Sequence, residues 1–150
     1  MALNFEKHAA KGNEFINRLA VRLNDEENTD RAGRVLRCVL HALRNRLTME
    51  ESFQLLAQLP MVIKALYIEG WQPARSHVKV KTLHELSEEV IKEDGKSAWR
   101  DFSGVSDALE AIEAVVKTMA DYVSAGELHD IVAVLPEDMK DRFIVWSHTP

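Results

Sequence analysis

Cysteine and proline are scarce in this chain of 150 residues. Its single cysteine, Cys38, has no partner for an internal disulfide, so the fold is not expected to need an oxidising compartment. Four prolines and six glycines are too few for a low-complexity or disordered chain. With 46% hydrophobic and 29% charged residues, the composition predicts a globular protein that buries a core without disulfides.

Long apolar runs are also missing. Gln58, Lys64 and Glu69 interrupt the most apolar stretch, so no segment reaches the roughly 18 to 20 apolar residues that a membrane span needs. The first residues show no basic region followed by an apolar run, so no secretory signal is expected. We therefore expect a cytoplasmic protein that does not contact a membrane.

An excess of basic residues is absent as well. The net charge is −5, which disfavours nucleic acid as a partner because phosphate groups are bound by Lys and Arg. The charge is unevenly spread, since residues 1–75 hold 11 Lys and Arg against 9 Asp and Glu, whereas residues 76–150 hold 8 against 15. The negative charge of the protein therefore lies in the second half of the chain.

The sequence contains no recognisable catalytic or cofactor motif. Cys38 and His41 are three residues apart, but a structural zinc site needs four ligands and no second pair of this kind follows. His129 and Asp130 are neighbours, and adjacent residues of a helix point about 100° apart, so the carboxylate is not placed to orient the imidazole. Phosphate-binding glycine loops and nucleophile elbows are missing. We predict no catalytic residue, no metal and no cofactor.

What the chain does contain is an internal repeat. Residues 48–60 and 124–136 match at an offset of 76, each reading Ser or Thr, two spacers, Glu, an apolar run and then Leu-Pro. The same offset pairs apolar residues before and after this frame, for example Leu36 with Ile112 and Tyr67 with Phe143. The sequence therefore predicts an all-α fold of two diverged helical repeats, about three to four helices each, packed as one compact body over residues 1–150.

Apolar residues at spacings of three and four predict the helices of each unit. Units of about 3–71 and 82–146 are joined by a connector of about 70–81, where Gly70 ends one helix and Pro73 prevents its continuation. We expect Thr29 or Asp30 to cap the helix of about 30–47. Helix starts are also predicted from three capping-box sequences, which are Thr48 with Glu51, Thr82 with Glu85 and Ser124 with Glu127.

Three aromatic residues carry expectations about packing. Trp99 and Phe102 lie in a long segment before the second unit's main helix, and we expect this segment to fold back over the core because exposing both rings is costly. Trp71 follows the glycine that ends a helix, and we interpret it as a plug between the two units.

Several segments resemble a known family. Residues 34–48, 59–73, 123–127 and 135–138 are similar to the bacterial domain-of-unknown-function family 2267, with a resemblance that spans nearly the whole chain. The most specific element is Tyr-x-Glu-Gly-Trp-x-Pro, which residues 67–73 provide. The resemblance implies a bacterial, cytoplasmic helical protein, and it supplies no activity or catalytic residue.

Two surfaces are candidate sites. If the units leave a crevice at their junction, a small ligand would lie in an apolar pocket whose rim is formed by Tyr67, Glu69, Trp71 and Arg75. The second surface is a charged face: four residues recur on the helix of about 30–47 opposite its leucines, and two glutamates replace the first two arginines in the second unit. This possible interaction face comprises Arg34, Arg37, His41, Arg44, Glu110 and Glu113.

These observations favour a non-enzymatic protein-interaction or adaptor module, because helical repeats offer surfaces and no catalytic constellation is present. A protein partner or self-association would use the charged face, where opposite charges at matched positions are complementary. The alternative is a small-molecule-binding protein with its pocket at the junction of the two repeats. The other interpretation of the charged face is an ordinary solvated helix surface, and an uncharacterised enzyme is the third hypothesis for the protein as a whole.

Overall fold

A computed structural model describes residues 3–73, 81–133 and 137–147, with backbone only at residues 131, 137–139 and 147. Helices account for most of these ranges and no strand occurs in them, which confirms the predicted all-α class. A short 3-10 turn over Gly95–Ser97 joins the helix of Leu83–Asp94 to that of Ala98–Asp101. In chain order the helices are α1 Phe5–Arg22, α2 Thr29–Arg44, α3 Met49–Leu56, α4 Met61–Ile68, α5 Leu83–Asp94, α6 Ala98–Asp101, α7 Val105–Ala120, α8 Ala125–Val132 and α9 Glu137–Ser147.

Capping side chains set the beginnings of the helices. Thr48 accepts a hydrogen bond from the amide of Glu51, and the Glu51 carboxylate accepts one from the amide of Thr48, so the predicted capping box is present. The prediction for α2 was wrong by one residue. Asn28 caps this helix by accepting from the amide of Arg31, and Thr29 is already helical.

Two long helices form the centre of the molecule. Helix α2 packs against α1, α4, α5 and α7, and α7 packs in turn against α1, α5 and α9. One hydrophobic core extends through all of them, with its largest fully buried side chains on α1, α2, α3, α4, α5 and α7. The helices therefore form a compact body in which both halves of the chain contribute to the same core.

Glycine has a packing role where α4 crosses α1. A Cβ atom at Gly12 would lie 3.0 Å from the Cβ of Val62, so a larger residue would push the two helices apart. A second glycine, Gly70, has a φ of +67° and ends the α4 segment, as the sequence predicts. The remainder of the predicted connector, residues 74–80, lies outside the described residues.

The offset of 76 reappears in the helix boundaries. Helices α2, α3 and α4 begin at residues 29, 49 and 61, and α7, α8 and α9 begin at residues 105, 125 and 137. Because matching starts do not by themselves relate the two halves in space, the two-repeat arrangement stays a prediction.

The segment between α5 and α7 differs from the expectation. Phe102 is buried, but Trp99 is 83% exposed. The prediction that both rings cover the core was therefore wrong for Trp99, because the single turn of α6 directs only one of the two aromatic side chains inward.

Candidate functional site

The C-terminal end of α4 meets polar side chains from α2. Arg44 donates hydrogen bonds of 2.7 Å to the carbonyl oxygens of Tyr67 and Glu69. His41 Nε2 lies 2.8 Å from the carbonyl oxygen of Leu66, which can only accept, so this nitrogen carries the proton. A helix leaves its last carbonyl groups without partners inside the helix. Helix α2 therefore supplies the donors that end α4.

His41 and Arg44 are buried as a consequence, with 6% and 8% of their surface exposed. Burial lowers the pKa of His41, and the nearby Arg44 and Arg37 lower it further, while the hydrogen bond to Leu66 opposes the change. The sequence placed His41 on the surface, and that prediction was wrong. The sequence pattern predicted that the side of α2 opposite the leucines faces solvent, whereas α4 covers part of that side.

Tyr67 lies beneath this junction. Its side chain is fully buried, and its hydroxyl group is 2.6 Å from the Ser52 hydroxyl on α3. Burial raises the pKa of Tyr67 to about 12, so the phenol is neutral at physiological pH. Of the predicted pocket residues, this one holds α3 against α4 from inside the core.

The other predicted pocket residues lie near the surface. Glu69 forms an exposed ion pair with Arg37, with 2.6 Å between the charged groups. Trp71 is half-buried, and its ring packs edge-on against Phe53 and Tyr67 with centroids 6.0 Å apart in both pairs. These contacts lie within the first half of the chain. Arg75 is outside the described residues, so the pocket as a whole stays a prediction.

The cationic residues of α2 do not share one exposed face. The Arg37 side chain is 57% exposed, whereas His41 and Arg44 point into the α4 junction. Arg34 turns towards α6, where its guanidinium group makes two hydrogen bonds of 2.8 Å to the Asp101 carboxylate. The expected continuous surface is therefore divided among three places, and an interaction role for these residues stays a prediction.

Asp101 is a buried residue in a small cluster of polar side chains. Arg34 binds its carboxylate, and Cys38 on the same helix donates to Asp94 with a sulfur to oxygen distance of 3.4 Å. Arg31 also donates to the backbone carbonyl of Asp101. We call Arg34, Cys38, Asp94 and Asp101 the carboxyl cluster. Sequence reasoning missed this cluster, because the residues of α2 and their carboxyl partners are more than 50 residues apart along the chain.

The two glutamates of the predicted interaction face lie elsewhere, on α7. Glu113 pairs with Lys117 one turn later, at 3.1 Å. Both glutamates line a polar groove of about 380 Å³ between α1, the start of α2 and α7. The residues along this groove carry both signs of charge and are Arg22, Leu23, Asn24, Arg31, Asp107, Glu110, Ala111, Glu113, Ala114 and Lys117.

A small apolar pocket lies in the second half. Its volume is about 100 Å³, close to that of one aliphatic side chain, and it opens beside Ala120 at the end of α7. His129 is exposed at its edge. The pocket is lined by Ala120, Val123, Ala125, Leu128, His129, Val132 and Ile144.

One surface escaped the sequence reasoning. Helix α4 has a single charged residue, Lys64, among its eight positions, yet Met61 and Ile68 are 53% and 49% exposed and Ala65 between them is also exposed. Helices that are apolar on all sides are normally buried. The signal was present in the sequence, since Lys64 is the single charged residue that this helix can direct towards water.

None of the helices in the described part of the chain combines the length and apolar character needed to cross a bilayer. Within the same ranges, no three side chains of His, Cys, Asp or Glu gather as ligands for a metal ion.

Comparison with known proteins gives one family. The family model described as an uncharacterised conserved protein, DUF2267, matches residues 12–141. A search of curated proteins finds no match. The matched range runs from the crossing of α1 and α4 into α9 and so includes the α2 to α4 junction. The chain therefore belongs to the DUF2267 family of uncharacterised conserved proteins.

Proposed function

We propose that this protein is a non-enzymatic protein-interaction module, and that it binds its partner through the outer side of α4. We call Met61, Ala65 and Ile68 the α4 face. They are spaced by four and three residues, so they form one stripe along the helix, and all three are exposed. Exposed apolar surface of this kind is typical of protein-binding sites.

The comparison with α9 carries this proposal. At the offset of 76, Met61 corresponds to Glu137 and Ala65 to Asp141. The second half thus has carboxylates at two of the three positions of the α4 face, and the third, Ile68, corresponds to Ile144. An ordinary solvated helix would tolerate the acidic version in both halves, so the apolar version favours a surface that is covered in the working state.

The charges around the α4 face indicate the chemistry of the partner. Lys64 is the one charged residue of α4, and Arg37 lies at the C-terminal end of the helix through its ion pair with Glu69. Charged rims of interfaces are arranged to complement one another. We therefore expect the partner to present an apolar helix face with carboxylates at its margin.

The test replaces the α4 face with the residues of the second half, as the double variant Met61→Glu/Ala65→Asp. Both positions are exposed, so thermal unfolding should change little, while partner binding is lost. Tagged parent and variant are used to capture proteins from the source cell, and each protein lost with the variant is purified and titrated calorimetrically against both forms. Val21→Asp, an exposed apolar position on α1, is the matched control and should bind like the parent.

Two outcomes would contradict the proposal. One is a set of captured proteins that is identical for the parent and the double variant. The other is an equal loss of binding in Val21→Asp, which would mean that added negative charge, rather than loss of the α4 face, weakens association.

A bacterial cytoplasmic location is part of the same proposal. It is supported by the family resemblance in the sequence and by the single cysteine, which is buried and reduced. The small-molecule alternative is supported by the polar groove between α1 and α7, which lies between helices from the two halves of the chain. Mass spectrometry of small molecules that remain with the purified protein tests it, and loss of one of them in Glu110→Gln would favour that alternative.

A further inference from the structure

The carboxyl cluster joins three elements of the fold. Helix α2 supplies Arg34 and Cys38, the end of α5 supplies Asp94, and the end of α6 supplies Asp101. The Asp101 side chain is fully buried, and both of its oxygens accept from Arg34. Bidentate pairing with a guanidinium group favours the ionised form of a carboxyl group. Asp101 is therefore the anion of the cluster.

Asp94 occupies a different position. One of its oxygens accepts from Cys38, and the other, Oδ2, is buried without a donor in the protein. The Asp94 and Asp101 carboxyl groups are close enough for each to affect the pKa of the other. Ionised carboxylates only accept, so a hydrogen bond between the two groups needs one proton. Because Arg34 occupies the oxygens of Asp101, the proton belongs on Asp94 Oδ2, and this accounts for an otherwise unsatisfied buried atom.

The electrostatics agree with this geometry. Burial and, to a lesser extent, the neighbouring Asp101 raise the pKa of Asp94 to about 6 against the opposing effects of Cys38 and Arg34. Burial acts in the same direction on Asp101, but hydrogen bonds from Arg34 and Asp94 leave the pKa of Asp101 below its ordinary value. The charged and titratable groups that face the pair are Asp30, Arg31, Arg34 and Cys38 from α2, Glu93 from α5, Arg100 from α6 and Asp107 from α7.

We propose that the carboxyl cluster is a proton-dependent contact that holds α6 against α2 while Asp94 is protonated and weakens when that proton is lost. With the proton in place, one carboxylate faces Arg34. Without it, two adjacent carboxylates share one guanidinium group in a buried site, and like charges at this distance repel. The short α6 depends on this contact, since Arg31 and Arg34 both bind Asp101 at its last residue.

The direction of the pH dependence follows from linkage. A carboxyl group whose pKa is raised in the folded state binds its proton more tightly there than in the opened state. The contact is therefore strongest below the ordinary pKa of Asp, weakens as the pH rises, and has lost the contribution of this proton above about pH 6. A single proton changes the opening equilibrium by at most about tenfold per pH unit.

The experiment is hydrogen exchange with mass spectrometry on the full chain, comparing protection of residues 95–104 at about pH 5 and about pH 7.5 after correction for intrinsic exchange rates. In the parent protein this segment should lose protection several-fold at the higher pH. Asp94→Asn keeps a donor at this position and removes the titration, so its protection should be the same at both values. Glu89→Gln changes a carboxyl group of α5 outside the cluster and should behave like the parent.

A second variant keeps the proposal testable if Asp94→Asn folds poorly. The Cys38 thiol donates to Asp94 and so favours the ionised form. Cys38→Ala should therefore move the midpoint of the protection change to higher pH. Equal protection of residues 95–104 at both pH values in the parent protein, an unchanged profile in Asp94→Asn or an unmoved midpoint in Cys38→Ala would each overturn the proposal.

Discussion

Helices α3 and α4 add a buried polar contact to their apolar packing, whereas α8 and α9 have apolar residues at the matched positions. Ser52 and Tyr67 share a buried hydrogen bond, and the residues at the offset of 76 are Leu128 and Phe143. Arg44, which ends α4, corresponds to Ala120, beside which the small apolar pocket opens.

The difference accounts for how α4 can have an apolar outer side. Arg44 fixes the end of α4 through two backbone carbonyl groups, and Ser52 fixes Tyr67 from below, so the position of this helix does not depend on packing alone. A helix held in this way can present Met61 and Ile68 outward without turning them into the core. The polar contacts on the inner side of α4 therefore allow an apolar outer side.

The largest expected effect comes from removing the donor that ends α4. Arg44→Ala leaves the carbonyl groups of Tyr67 and Glu69 without their partner, and we expect a loss of about 2 to 3 kcal/mol in the free energy of unfolding. Arg37→Ala on the same helix breaks only an exposed ion pair and should cost about 0 to 1 kcal/mol. Urea denaturation of both variants measures the difference. Equal losses in the two variants would contradict a special role for Arg44. The first half would then not differ in this respect from the second, which has Ala120 at the matched position.

Sequence patterns predicted the parts of the fold that depend on neighbouring residues. The Thr48 and Glu51 capping box and the turn at Gly70 are local, and both were confirmed. Thr82 also caps its helix by accepting a hydrogen bond from the amide of Glu85. The Glu85 carboxylate, however, accepts from the amide of Lys81, one residue before the amide that a capping box requires.

Sequence patterns could not predict contacts between distant segments. His41 was placed on the surface because its own helix leaves it opposite the leucines, and only the packing of α4, some 25 residues later, buries it. The carboxyl cluster was missed for the same reason, since Arg34 and Asp101 are 67 residues apart. Both errors concern polar residues whose partners no periodicity identifies.

The next largest effect is expected when the residues at the matched positions 67 and 143 are exchanged. Tyr67→Phe leaves the Ser52 hydroxyl without its buried partner, and Phe143→Tyr adds a hydroxyl group to a buried ring, in a half that has Leu128 at the position of Ser52. Each variant should lose about 1 to 2 kcal/mol. The double variant Ser52→Leu/Tyr67→Phe, which copies the second half, should recover part of the loss because no polar atom is left unpaired. Thermal and urea unfolding of the three proteins gives these values.

The apolar pocket offers a stabilising change of smaller size. Ala120→Leu adds apolar atoms beside a cavity of about 100 Å³, and we expect about 1 kcal/mol of added stability. Ala9→Leu, at an exposed position of α1, is the control and should change stability little. A loss of stability in Ala120→Leu would indicate that the neighbouring helices cannot accept the larger side chain.

The smallest effect concerns the pH dependence that His41 gives to the first half. Its pKa is lowered in the folded protein, so the unfolded chain binds a proton more readily. The stability that neutral His41 contributes is present above the ordinary pKa of histidine, about 6.5, and decreases as the pH falls below it. Asp94 acts in the opposite sense, because its raised pKa favours the folded state at low pH.

The two titrations are separated in the Asp94→Asn background. There, urea denaturation between about pH 5 and about pH 8 should show stability rising with pH, and adding His41→Gln, which keeps a donor for the Leu66 carbonyl group, should reduce that slope. The residue at the matched position is Lys117, so Lys117→Gln is the control and should leave the slope unchanged. If His41→Gln keeps the full slope, the pH dependence of stability comes from other histidines. His41 then does not make the first half of the chain more sensitive to acid than the second.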